Sequence, residues 1–164
     1  MPETVPIIPK KFKKYLEQIE DEKIRGWYEK NVMPYFFVNT VGRFESLGYE
    51  LRPNGLLVRY VASDENLAKM DMMMVDMALL RPLSEHSHDS DELIIVKGGA
   101  GVFYHDDEKT SGTQDIRKGF EAYVPKGTKH YLKPEKDGFL EVELIHSPAP
   151  KEGDEKCFRS FDEI

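Results

Sequence analysis

The chain has 164 residues, 30 acidic against 23 basic side chains, and a formal charge of −7 at pH 7. That length suits one domain around a single core, and the acidic balance gives no electrostatic footprint for nucleic acid or an anionic membrane surface. Met1-Pro-Glu-Thr-Val-Pro6 has no leader pattern and no run is long enough to span a bilayer, so a cytoplasmic protein is expected, and the lone Cys157 reads as an incidental thiol in a reducing compartment.

After a proline-rich start, Phe12, Tyr15, Leu16 and Ile19 recur at helical spacing and the pattern resumes with Ile24, Trp27 and Tyr28. This predicts an amphipathic helix, irregular at Gly26 and ending before Pro34. The lysines from Lys10 to Lys14 are followed by Glu17, Glu20, Asp21 and Glu22, which makes a solvated face with local ion pairs rather than a phosphate patch.

Beyond Phe36-Phe37-Val38 the texture changes to short apolar runs between turns. Arg52-Pro-Asn-Gly55 and Ser63-Asp-Glu-Asn66 are turns, and Leu56–Val61 and the methionine-rich Met70–Leu79 are strands. Methionines in that density suit adaptable core or a subunit contact, with Met72 and Met74 as possible pocket wall. Two strands flank Gly98-Gly99 between Leu93 and Tyr104, and a polar hairpin loop covers Asp106–Gly112. Further strands lie around Gln114–Arg117, Ala122–Val124, His130–Leu132 and Phe139–Ile145. Such spacing predicts an all-β sandwich or barrel with an N-terminal helical appendage. The expected limits are 1–40 for the appendage, 41–150 for the barrel and 151–164 for a polar tail.

Chemistry concentrates between His86 and His130. Side chains alternate along a strand, so His86, His88 and Glu92 can share one face. With a third imidazole, His130, they make a set suited to a divalent transition metal, and the donor types admit Fe2+, Mn2+, Ni2+, Zn2+, Co2+ or Cu2+. Four protein ligands on an octahedral ion leave two positions for water, substrate or dioxygen. His105 beside Asp106-Asp107, and His146 beside Ser147-Pro148, are expected outside the site. Arg59, Tyr104, Tyr123 and Glu143 are polar candidates for catalysis, and an inward Arg59 would suit an anionic substrate group.

Two patterns carry a family resemblance. H-x-H-x3-E followed by glycine is present as His86, His88, Glu92 and Gly98 or Gly99, and G-x5-P-x-G-x2-H as Gly119, Pro125, Gly127 and His130. In this order the two resemble the paired motifs of the cupin superfamily across residues 68–148. The chain departs at Leu80, where cupins often have glycine, and at Pro134, where they often have asparagine. The resemblance implies a double-stranded β-helix, a jelly-roll barrel, holding a metal ion inside near one mouth and frequently dimerising.

The expected function is metal-dependent chemistry on a small oxygen-bearing molecule, of dioxygenase, decarboxylase, isomerase or lyase type. The chain is similar in size to acireductone dioxygenases, which have the same ligand pattern. The alternative is a non-catalytic module that binds or senses a small molecule. Regulators of this superfamily carry a separate helix-turn-helix, which one acidic-leaning helix does not supply. A small-molecule ligand and a homodimer are the expected partners, with neither nucleic acid nor membrane.

Overall fold

A computed structural model describes residues 9–60, 69–106 and 111–148. The turn at 63–66, most of the hairpin loop after Asp106, the tail at 151–164 and Cys157 lie outside the described residues.

Three helices come first: α1 (Lys10–Glu17), α2 (Glu22–Asn31) and α3 (Pro34–Ser46). This corrects the single helix read from the periodicity, because the break falls at residues 18–21 and Gly26 lies inside α2. Asp21 is the cause: its carboxylate accepts from the amides of Lys23 and Ile24 at 2.9 and 3.1 Å and starts a new helix. Pro34 then opens α3, where a missing amide leaves no bond unmade. Phe36, Phe37 and Val38 are therefore helical, and α3 continues to Ser46. Phe37 is the hub of this layer, meeting Phe12 and Tyr28 edge to face at 5.3 and 4.9 Å.

The remaining elements are β1 (Glu50–Leu51), β2 (Leu57–Tyr60), β3 (Met73–Leu79), β4 (Leu83–His86), β5 (Asp91–Asp106), β6 (Ser111–Arg117), β7 (Glu121–Val124), β8 (Lys129–Pro134) and β9 (Leu140–Ser147). They form one curled antiparallel sheet in the order β1-β2-β3-β9-β5-β8-β4, with β6 and β7 also paired to β5. The two strands expected around Gly98-Gly99 are one 16-residue strand, β5. The glycines make a bulge rather than a turn: register against β9 shifts between Val96 and Gly98, and Gly99 has φ +80°. Upstream of the bulge β5 pairs with β7 and β9, and downstream with β6 and β8.

Alternation sorts the side chains into two cores. Val75, Met77 and Leu79 of β3 point inward with Val58, Ile94, Val96, Val142 and Leu144, while Ala78 and Leu80 face the helices together with Leu57. Met77 is thus core, with Met73 packed beside it. No helix among the described residues is long and apolar enough to cross a membrane.

Arg81, fully buried, helps to seat the helices on the barrel. Its guanidinium donates to the Asn54 carbonyl at 3.1 and 2.9 Å and to the Pro82 carbonyl at 2.8 Å. The hydroxyl of Tyr28 in α2 donates to the Gly55 carbonyl at 2.6 Å in the same turn. Replacing Arg81 with methionine keeps much of the volume but removes three charge-assisted bonds. Urea unfolding at neutral pH should register a loss of about 2–4 kcal/mol; a change below about 0.5 kcal/mol, the range of ordinary surface substitutions, would contradict this role.

Candidate metal centre

Two cross-strand pairs and one connecting residue build the site. His86 closes β4 opposite His130 of β8, and Glu92 near the start of β5 lies opposite His146 of β9. Directly opposed residues project to the same face. His88 lies between the pairs, on the segment joining β4 to β5, so His86, His88 and Glu92 are not on one strand as the alternation argument supposed. The His86 ring centroid is 4.3 Å from that of His130 and 4.7 Å from that of His88, and His88 is 5.0 Å from His146. Ligand atoms of His86, His88 and His130, and those of His88, Glu92 and His146, form two groups compact enough to hold a metal ion, sharing His88.

Backbone groups aim the rings. Nδ1 of His86 is 2.6 Å from the Ser84 carbonyl and Nδ1 of His130 is 2.9 Å from the Thr128 carbonyl. An acceptor there fixes the proton on Nδ1 and leaves Nε2 with a lone pair toward the interior, the usual way a metal-ligating imidazole is oriented. The Pro125–Thr128 turn clips the connecting segment, because the Gly127 amide donates to the His88 carbonyl at 2.9 Å and the Lys126 amide to the Asp91 carboxylate at 2.8 Å. The proline-glycine motif therefore positions His88 as well as His130.

Glu92 sits among the imidazoles, with Oε2 2.9 Å from Nε2 of His88, 3.5 Å from that of His146 and 3.7 Å from that of His130. Oε2 of Glu92 and Nε2 of His130 are buried and outside hydrogen-bond geometry with each other. A buried anionic oxygen facing lone-pair nitrogens at these separations fits a cation between them. The residues present therefore suit a divalent transition metal.

Burial would raise the Glu92 pKa, but His130 and His88 beside it, with His146, outweigh that and hold the carboxyl below its usual range. Burial, followed by the neighbouring His130 and by His88, pushes His86 down to about 3. Burial likewise lowers His146. In His130 burial opposes charge, yet the Glu92 carboxylate prevails and raises the pKa.

These directions set a pH dependence for the metal-free chain. Unfolded, the imidazoles take up protons near about 6.5 and the carboxyl near about 4.3. The lowered His86, His146 and Glu92 therefore contribute stability at neutral pH that is lost as pH falls below those values. His130 acts oppositely, contributing below about 6.5 and losing that contribution as pH rises through its folded value. Between pH 7 and pH 4.5 the two lowered imidazoles, His86 and His146, outweigh the one raised, His130, and Glu92 adds its loss only below about 4.3, so the urea midpoint in chelator should fall from pH 7 to pH 4.5. Metal retention should fall over the same range, since ligands must be deprotonated. A rising midpoint, or bound metal unchanged at pH 4, would contradict the assignment.

The other polar candidates are not brought to the cluster. Arg59 lies on the helix-facing side of the sheet, donating to Asp76 at 3.2 and 2.6 Å and to the Leu47 carbonyl at 2.7 Å. Glu143 joins that group through Lys97 at 3.7 Å. Tyr104 alternates with the inward Phe103 and stacks on Tyr131 at 4.9 Å. Tyr123, 64% exposed, alternates with the inward Ala122 and Val124. Strand phase decides all four.

Two histidines expected elsewhere are placed differently. His146 is fully buried, and its Nδ1 is 3.2 Å from the Ser90 hydroxyl oxygen. Its signal was present in the sequence: it is in phase with Leu140, Val142 and Leu144, all inward. His105 is half-buried rather than exposed, in register with His130 and stacked on Phe103 at 5.5 Å. A cleft of about 360 Å³ lies there, lined by Phe103, His105, Gln114, Phe120, Val124 and Thr128. Thr128, whose carbonyl faces His130, connects the cleft to the site.

The curled antiparallel sheet has counterparts among solved structures. Vicilin of hazelnut, Corylus avellana, matches 58% of this chain and 29% of its own with a TM-score of 0.50 at 15% identity. The chain has the double-stranded β-helix fold of a cupin-type barrel. A cupin-like protein of Thermotoga maritima matches 57% of this chain and 68% of its own at 19% identity and a TM-score of 0.47. No protein-family model matches the sequence. An acireductone dioxygenase of Frankia alni is 44% identical over 56 residues, 34% of this chain. That segment spans only 27% of the dioxygenase's length.

Proposed function

We propose that this cupin is a metal-dependent enzyme that binds a divalent transition metal through His86, His88, Glu92 and His130 and acts on a small oxygen-bearing molecule. The observation that carries the reading is the convergence of the Glu92 carboxylate and the imidazole Nε2 atoms at one end of the barrel, with the Nδ1 atoms of His86 and His130 held by backbone carbonyls. An ion bound there would supply Lewis-acid or redox chemistry toward the oxygen atoms of a substrate.

The chain's own groups do the rest. Ser84 and Thr128 hold two imidazoles in the tautomer that ligation needs. Glu92 contributes the one negative charge, and the interior packed behind it excludes water. The cleft beside Thr128, lined by Phe103, Phe120 and Val124 together with the polar His105, Gln114 and Glu121, is of a size for a small molecule. The segment similar to an acireductone dioxygenase puts dioxygenase chemistry first among those to test.

The test is elemental analysis of protein purified without added metal, followed by oxygen uptake with small enols, diols and hydroxy acids. Iron or nickel near one per chain with substrate-dependent uptake is the expected result. Zinc or manganese without uptake would move the reading to an isomerase or lyase, and a chain that retains no divalent metal would refute it.

A further inference from the structure

We propose that His146 is a fifth protein donor, so that the site is four imidazoles and one carboxylate and leaves a single position open on an octahedral ion. This rests on the metal-site reading above and changes its consequence, since a substrate would bind through one oxygen rather than chelate through two.

Geometry carries the proposal. Donors about 2.1 Å from one octahedral ion lie about 3.0 Å apart when adjacent and about 4.2 Å apart when opposite. Nε2 of His146 is 3.5 Å from Oε2 of Glu92, inside that window and closer than Nε2 of His130 at 3.7 Å. The separation exceeds the usual N–H···O range, so the contact is poorly described as a hydrogen bond that merely steadies the carboxylate. The Ser90 hydroxyl occupies the place at Nδ1 of His146 that the Ser84 and Thr128 carbonyls occupy at Nδ1 of His86 and His130, and a hydroxyl that accepts there leaves Nε2 with its lone pair. In His130 and His146 alike, Nε2 is the nitrogen turned toward the carboxylate.

Topology adds a second line. Glu92 and His146 are direct partners across β5 and β9, as His86 and His130 are across β4 and β8. The barrel thus offers two equivalent pairs with His88 between them. A site held by His86, His88, Glu92 and His130 alone would leave His146 fully buried against a ligand carboxylate with no part in holding the ion. Its place at the end of β9, continuing the inward series Leu140, Val142 and Leu144, also directs the ring to the interior without strand distortion.

The chain has five histidines, so the rings can be counted. Two-bond 1H–15N spectra of the uniformly 15N-labelled chain would be recorded before and after one equivalent of zinc. Four rings shifting Nε2 into the metal-bound range, with His105 unchanged, is the expected result. Three shifted rings with His146 unmoved would overturn the fifth donor while leaving the metal site intact. No shifted ring would refute the metal site itself. His146→Gln, tested by competition against a chelator, should weaken zinc binding about tenfold or more. Parental affinity in that variant would overturn the proposal, and if the variant fails to fold, the ring count on the unaltered chain decides.

Discussion

His88→Ala should lower metal affinity by at least about 100-fold, some 2.7 kcal/mol, the largest loss expected from any single ligand. His88 is common to both donor groups, whereas His86, His130, Glu92 and His146 each belong to one. Its Nε2 makes the shortest approach to Glu92, at 2.9 Å, and its ring lies 4.7, 5.2 and 5.0 Å from those of His86, His130 and His146. Removing it takes away a donor and leaves a buried carboxylate less compensated. The fold should survive, because the segment is held through the His88 carbonyl and the Gly127 amide rather than through the imidazole. Metal per chain after gel filtration against chelator, with far-ultraviolet circular dichroism as the folding control, measures both. Parental metal content in a folded variant would remove His88 from the ligand set.

The parts of this site that were legible in the sequence are those with fixed local spacing. His86, His88, Glu92 and His130 stand at short intervals punctuated by turn glycines and Pro125, and those intervals express the hairpin geometry that brings the residues together. His146 has no such punctuation, since its partner Glu92 is a strand pairing of 54 residues' separation. Only the alternation of β9 pointed to it, and the polar Ser147-Pro148 that follows obscured the phase. The four polar candidates lie away from the cluster for a related reason: one strand's alternation does not say which phase faces the interior. Arg59 illustrates this, because Leu57 and Val58 beside it are both buried, one against the helices and one inside the barrel. The helices were legible as an amphipathic pattern, but their number depended on the Asp21 cap and on Pro34, two local signals that periodicity averages over.

Gly99→Ala should cost about 4 kcal/mol or more, whereas Gly98→Ala next to it should cost about 1 kcal/mol. Gly99 adopts φ +80°, where a side chain is disfavoured by about 1–2 kcal/mol before any contact is considered. An added methyl would then lie 1.9 Å from the Phe139 carbonyl oxygen and 2.8 Å from its carbon. That carbonyl cannot retreat easily, since it accepts from the Ala100 amide at 3.2 Å and Phe139 leads directly into β9. At Gly98 the nearest atoms are 3.7 and 3.8 Å away, an ordinary contact. The consequence reaches the metal. Gly99 lies where β5 passes from the pairings that oppose Glu92 to His146 to those that align β8, which carries His130. Forcing the bulge open should misalign the His86–His130 and Glu92–His146 pairs without touching either. Gly99→Ala should therefore lose metal as well as stability, while Gly98→Ala keeps both. Parental urea midpoint and metal content in Gly99→Ala would show that the bend does not set the alignment of the site.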